Sequence, residues 1–254
     1  SEWPNMARSL AQISDRFREQ LEACDRSLSD HLDWSVLDVL NGVEGAPGLD
    51  RTDVVQPVLF AVSAALTTLW RLRVGIDPDG IVGHSIGEVT AAYVAGALSL
   101  DDAARIVALR SRALARLTGR GAVASVPLSA SELEVYLKPH GERVSIAAYD
   151  GPNATLIAGD PEIIDALLGE LEAATRLPIN YAIATTQIEG VRDEILAALD
   201  GLKPRAVVTP LYSTVRAEKL VGRELDAEYW YRNVRMQTRF ADTIAKMIAD
   251  GYRF

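Results

Sequence analysis

The segment of this chain best suited to covalent chemistry is Gly83-His84-Ser85-Ile86-Gly87. Glycines two residues either side of a serine let a strand turn sharply into a helix and push the hydroxyl outward. Ser85 would then sit at a helix N-terminus, where the N–H of Ile86 and the positive end of the helix dipole can stabilise a developing oxyanion. A serine nucleophile also needs a base, and where such a turn carries one, the histidine follows the serine in chain order. The sequence has three histidines. His31 lies far upstream, His84 adjoins the serine and should project away from it, and His140 sits in the turn sequence Lys138-Pro139-His140-Gly141. None is a convincing base.

Arg110 follows on the next helix, three residues after Val107 and four after Ile106, so it shares their inward face. An arginine there wants an anion. A salt bridge at the helix edge would satisfy it. So would a substrate carboxylate gripped by two parallel hydrogen bonds. Spacing alone leaves both open.

The elements that must position these residues read as an α/β chain. Val54 to Trp70 gives a helix of small apolar residues, Ile81-Val82-Gly83 a short buried strand, and Ile86 to Ala97 the helix that follows at once. Ser99 with Asp102 predicts a capping box, opening a helix through Ile106, Val107 and Leu114 towards Gly119. The texture then changes. Strands are expected at Ala122 to Val126, Val144 to Ala148, Thr155 to Ala158 and Leu177 to Ile179, with helices at Ser131 to Leu137 and Pro161 to Ala174. Their order is βαββαβ, the ferredoxin-like pattern. Residues 121–183 are therefore read as a small inserted subdomain, and residues 1–120 with 184–254 as a larger α/β body.

Composition bounds the rest. At 254 residues, 48% hydrophobic and 24% charged, the chain can bury a large core without metal or disulfide. Its net charge of −9 argues against bulk electrostatic binding to nucleic acid or anionic lipid. The single cysteine, Cys24, cannot form an internal disulfide, and no cysteine or histidine cluster has zinc-ligand spacing, so a reducing, cytoplasmic setting is expected. Ser1-Glu2-Trp3-Pro4 lacks the features of a signal peptide. The longest apolar run, Val54 to Trp70, is broken by Gln56, Pro57, Ser63 and two threonines, which suits a buried helix rather than a membrane span.

Taken together these pieces resemble the acyltransferase domains of modular type I polyketide synthases, close relatives of malonyl-CoA:acyl-carrier-protein transacylases. The resemblance covers nearly the whole chain. It rests on Gln56-Pro57-Val58-Leu59-Phe60, Gly83-His84-Ser85-Ile86-Gly87-Glu88, Arg110-Ser111-Arg112, Ala147-Ala148 ahead of Gly151-Pro152, and Tyr212-Ser213-Thr214-Val215. Leu225-Asp226-Ala227-Glu228-Tyr229-Trp230 followed by Asn233-Val234-Arg235 completes it. Each is weak alone, and their shared order and spacing carry the weight.

The resemblance implies a hydrolase-like α/β body carrying a ferredoxin-like insertion. It implies that Ser85 is acylated by a malonyl-type CoA thioester, that Arg110 holds the free carboxylate, and that the acyl group moves to the phosphopantetheine thiol of an acyl carrier protein. No cofactor beyond these thioesters is implied, and neighbouring synthase domains are the expected partners. Asn233 matches the position whose backbone carbonyl orients the catalytic histidine.

The departures are as informative. The family's specificity motif, typically Tyr-Ala-Ser-His for methylmalonyl and His-Ala-Phe-His for malonyl units, ends in that histidine, but this chain reads Tyr181-Ala182-Ile183-Ala184. Ala184 therefore stands at the position of the base, and impaired activity is expected. Tyr181-Ala182 points towards methylmalonyl, whereas Ile86, where many methylmalonyl members resemble glutamine, points the other way. Relatives usually begin with a Gly-Gln-Gly-Ser segment and run on past the position of Phe254, so a domain of a longer polypeptide is expected. The rivals are a serine hydrolase or thioesterase, and a catalytically silent structural domain of a megasynthase.

Overall fold

The computed structural model describes residues 7–71, 75 and 77–253; Ser1-Glu2-Trp3-Pro4 and Phe254, read above, lie outside the described residues. In chain order come α1 (Arg8–Ile13), α2 (Asp15–Ser29), α3 (Val36–Asn41), α4 (Thr52–Leu69), β1 (Ile81–Val82), α5 (Gly87–Val94) and α6 (Leu100–Ala115). Next are β2 (Ala122–Val126), α7 (Ala130–Leu137), β3 (Val144–Gly151), β4 (Ala154–Gly159), α8 (Pro161–Glu170) and β5 (Thr175–Arg176). Last come α9 (Arg192–Ala198), β6 (Leu211–Ser213), β7 (Glu218–Leu220), α10 (Ala227–Arg235) and α11 (Phe240–Ala249).

The body is built on helices that pack on one another and on a short sheet. In α2, Phe17, Leu21, Cys24 and Leu28 recur at helical spacing and are all buried, and Ser14 caps the helix by accepting the N–H of Phe17. By length and composition α4 could cross a bilayer, yet 56% of it is buried inside the protein. Its buried Val54, Val58, Phe60 and Ala61 share one large core with Ile106 and Leu114 of α6 and with Trp230 of α10. It is the body's core helix, as the polar breaks in its sequence suggested. Beside it, β1 pairs in parallel with β6, which pairs antiparallel with β7.

The second sheet has the order β3-β4-β2-β5, every pair antiparallel, which is the ferredoxin-like arrangement of a βαββαβ unit. Side-chain alternation divides its two faces. Ala122, Ala124, Val126 and Ile157 meet Leu133 of α7 and Ile164 and Leu167 of α8 in one core. Val123, Leu156, Ala158 and Ala147 turn the other way and pack with Ala182 and Ala184. That second face walls the site.

The helices expected over Ile86 to Ala97 and Pro161 to Ala174 end earlier, at Val94 and Glu170, and two further details differ from the sequence reading. The last strand is Thr175–Arg176 rather than Leu177 to Ile179. Leu177 still donates to the carbonyl of Val123 (2.9 Å), but Pro178 has no N–H to continue the ladder. At Ser99 the hydroxyl accepts the N–H of Asp102 (3.0 Å) and donates to its carboxylate (2.9 Å), so only half of a capping box forms. A complete box caps α7, where Ser129 accepts the N–H of Glu132 and the Glu132 carboxylate accepts the N–H of Ser129 (2.9 Å).

The sheet also fastens to the segment between α10 and α11. Tyr149 donates its N–H to the carbonyl of Thr238 (2.8 Å), and Thr238 donates to that of Ala147 (2.9 Å). Ala148 and Thr238 thus form a parallel bridge.

Candidate active site

Ser85 sits in the tight turn between β1 and α5 with left-handed backbone, φ 53°. A non-glycine residue there is strained by about 1–2 kcal/mol, the usual mark of a sharply exposed side chain. Gly83 is what makes the turn possible. A Cβ on it would lie 2.2 Å from the carbonyl oxygen of Gly87 and 2.4 Å from the nitrogen of Glu88. Gly87, by contrast, faces open space, so the turn's geometry demands only the first of the two glycines. His84 points to a different partner from Ser85. Its Nε2 meets Asp150 Oδ1 on β3 (2.8 Å) and its ring lies 5.5 Å from that of Phe240.

Ser85 opens onto a small cavity that also receives Arg110, Tyr181, Ile183, Ala184 and Asn233. Ile86, read as a substrate contact, lies outside this lining and packs against the large core. Among the described residues no histidine and no carboxylate lines the cavity. His31 lies beyond α2 and His140 in the 3-10 turn that follows α7. Ala184 has left-handed backbone too, φ 55°, and donates its N–H to the carbonyl of Val234 (3.0 Å).

Arg110 is 1% exposed. Its Nη1 donates to Asn233 Oδ1 (2.5 Å), while its Nε is buried without a partner. Among the described residues no carboxylate forms an ion pair with it, so the helix-edge salt bridge is not what this arginine makes. Burial pushes its pKa down to about 10, opposed by Tyr181 and Glu88, and the group stays cationic at neutral pH. Tyr181 accepts a hydrogen bond from Gln56 Nε2 (3.1 Å), and Gln56 Oε1 is buried without a partner.

The sequence reading quoted Glu88 in the elbow motif but gave it no role. In the structure it is fully buried on the first turn of α5. Its Oε2 accepts from Thr214 Oγ1 (2.6 Å) and Asn233 Nδ2 (3.0 Å), and its Oε1 accepts from the Tyr229 hydroxyl. Burial raises its pKa, and the hydrogen bonds from Thr214 and Tyr229 oppose that rise. A charged residue among Val89, Ala91 and Ala92 was the available signal. Asn233 likewise acts through its side chain, bridging Arg110 to Glu88.

Among the described residues this arrangement offers a half-buried hydroxyl opening on the cavity, a buried cation with an unpartnered hydrogen-bond donor, and no general base. A sequence profile of the family described as "Acyl transferase domain" matches residues 1–254. Polyketide synthase GfsB of Streptomyces halstedii is 48% identical over 256 residues, covering 99% of this chain and 5% of the relative. Erythronolide synthase EryA2 of Saccharopolyspora erythraea is 43% identical over 256 residues, covering 99% and 7%. The chain therefore spans only a small share of these relatives' length. The acyltransferase domain from module 8 of the salinomycin polyketide synthase has a TM-score of 0.95 at 44% identity, with 99% of this chain and 60% of that one covered. A loading acyltransferase from the avermectin modular polyketide synthase gives 0.95 at 39%, covering 98% and 81%. Matched from end to end by the profile and superposing on both synthase domains, the chain belongs to the acyl transferase domain family, in its polyketide synthase branch.

Proposed function

We propose that the chain moves a malonyl or methylmalonyl unit from CoA to the phosphopantetheine thiol of an acyl carrier protein, through an ester on Ser85. The Ser85 oxygen attacks the thioester carbonyl, the C–S bond breaks, and the CoA sulfur leaves as the thiol with the serine's proton. The carrier thiol then attacks the ester, and Ser85 recovers its proton. Arg110 takes the free carboxylate of the extender, and Tyr181 and Ile183 border the acyl chain. In relatives a histidine at position 184, oriented by the carbonyl of residue 233, would shuttle the proton. With Ala184 there, both half-reactions lose their base and the rate is low.

The observation that carries this reading is Arg110: a buried cation with an unpartnered Nε, in the same cavity as a left-handed serine. A hydrolase has no need of such a cation beside its nucleophile. That none of the described residues lining the cavity is a histidine or a carboxylate favours a second reading, a silent domain that spaces its neighbours. Intact-mass measurement after incubation with malonyl-CoA and methylmalonyl-CoA separates these. A persistent adduct that disappears in Ser85→Ala supports transfer, rapid loss to water a hydrolase, and no adduct with any thioester the silent domain.

A further inference from the structure

We propose that Glu88 and Asn233 are positioning residues for Arg110, and that they set the preference for acyl groups ending in a carboxylate. The inference rests on the reading of Arg110 as the carboxylate grip.

The three side chains come from α6, α10 and α5 and form one directed chain. A guanidinium can only donate and an ionised carboxylate only accept. The amide of Asn233 therefore has one orientation that satisfies both neighbours, with Oδ1 to Arg110 Nη1 (2.5 Å) and Nδ2 to Glu88 Oε2 (3.0 Å). Glu88 is itself held on both oxygens, by Thr214 and by Tyr229, and Tyr229 also bonds Ser213 (2.6 Å). Every member is buried, so none can swing out to water.

The intervening amide has a chemical consequence. A carboxylate placed directly on Arg110 would take two donors of its fork and cancel its charge. Asn233 instead takes one hydrogen of Nη1, and Nε is left buried with no acceptor. Glu88 still lowers the electrostatic cost of a buried cation, because it acts at one amide's remove and does not occupy the fork. What remains, on a residue that lines the cavity beside Ser85, is an unfilled donor set that a dicarboxylic half-thioester would complete and an acetyl group cannot.

The test is the ratio of Kd values for malonyl-CoA and acetyl-CoA, measured by equilibrium dialysis in the Ser85→Ala background so that no acylation intervenes. The parent should favour malonyl-CoA by about tenfold or more, as one charge-assisted pair allows. Glu88→Gln and Asn233→Ala should each cut that preference to about twofold, with the loss falling on malonyl-CoA far more than on acetyl-CoA. Asn233→Asp should abolish it by placing a competing carboxylate on the fork. Near-ultraviolet circular dichroism identifies any variant that fails to fold, and the others still decide. The proposal is overturned if folded variants keep the parent's preference, or if both ligands weaken equally, which marks a purely structural network. A parent with no preference, unchanged in Arg110→Ala, instead removes the carboxylate-grip reading and this inference with it. A preference lost in Arg110→Ala but kept in the Glu88 and Asn233 variants removes this inference alone.

Discussion

Ser85 and Ala184 line one cavity from segments about a hundred residues apart in the chain, and both hold left-handed backbone, φ 53° and 55°. For Ser85 the tight turn after Gly83 imposes it. Ala184 occupies the region as Ala7, Ala173 and Ala217 do, and among non-glycine residues asparagine, aspartate and histidine are the types enriched there. The backbone at 184 would therefore accommodate a histidine without rearrangement.

Ala184→His should accordingly raise acyl transfer to a carrier protein by about 10²–10⁴-fold, the usual contribution of a positioned base. The restored rate should rise with pH through the ordinary histidine range, about 6.5, because only the neutral imidazole accepts the serine's proton. Equal rates for parent and variant across that range would show that position 184 does not face the reacting hydroxyl.

Ala184→Gly tests the strain without the chemistry. Glycine adopts φ 55° without a Cβ penalty, so the variant should gain up to about 1 kcal/mol against unfolding, less the extra chain entropy that glycine loses. A higher urea midpoint at unchanged slope is the expected result, and a lower one would mean that packing of the methyl outweighs the strain.

Gly83→Ala should be far more damaging. Its Cβ would stand 2.2 Å from a backbone oxygen and 2.3 Å from a backbone carbon, neither on a flexible side chain. We expect a loss of more than about 2 kcal/mol together with loss of Ser85 acylation, whereas Gly87→Ala, facing open space, should change stability by under about 1 kcal/mol.

Glu88 gives a pH signature. Burial raises its carboxyl above the unfolded value, so ionising Glu88 costs more in the fold than in the unfolded chain, although its hydrogen bonds oppose that rise. The neutral form's contribution is present below the carboxylate's unfolded pKa and is lost as pH rises through the folded value. Glu88→Gln, which cannot ionise, should therefore gain stability relative to the parent as pH rises from the unfolded carboxylate range, about pH 4, to about pH 7. Urea unfolding at the two pH values checks this, and a difference that is flat or reversed would mean that the hydrogen bonds outweigh the burial.

Cys24 should be inert in the folded chain. It is buried in α2 and burial pushes its thiol up to about 11, leaving on the order of 0.1% thiolate at pH 8. Alkylation by iodoacetamide should be negligible in native buffer and complete in denaturant, as read by intact mass.

Local patterns were legible in the sequence, and long-range polar contacts were not. The elbow, the core helix α4 and the βαββαβ order follow from spacing, alternation and turn residues, all of which act over a few positions. The shift of β5 towards the N-terminus comes from Pro178, whose missing donor ends the ladder. Ser85 was legible in the elbow spacing and Arg110 in its place on an inward helix face, whereas Tyr181, Ile183, Ala184 and Asn233 were placed by resemblance; the structure gathers all of them around one cavity. Ile86 falls outside because the residue after an elbow serine turns with the helix towards the core. The pairing of Asn233 with Glu88 spans 145 positions and that with Arg110 spans 123, distances over which no periodicity reports.

The parallel bridge between Ala148 and Thr238 bears on any attempt to recombine this domain with its relatives. The inserted sheet runs from Ala122 to Arg176 in one stretch, so exchanging that stretch looks like a clean substitution. It is not self-contained. The bridge, and the bond from the Tyr149 hydroxyl to Gln237 (3.1 Å), join β3 to a stretch whose Met236 and Thr238 help form the cavity wall. A chimera cut only at the ends of the insertion would mate a foreign strand with a native wall, and the mismatch would fall on the pocket rather than on the seam. Residues 236–239 belong with the insertion as one heritable unit, although more than 50 positions separate them from its end.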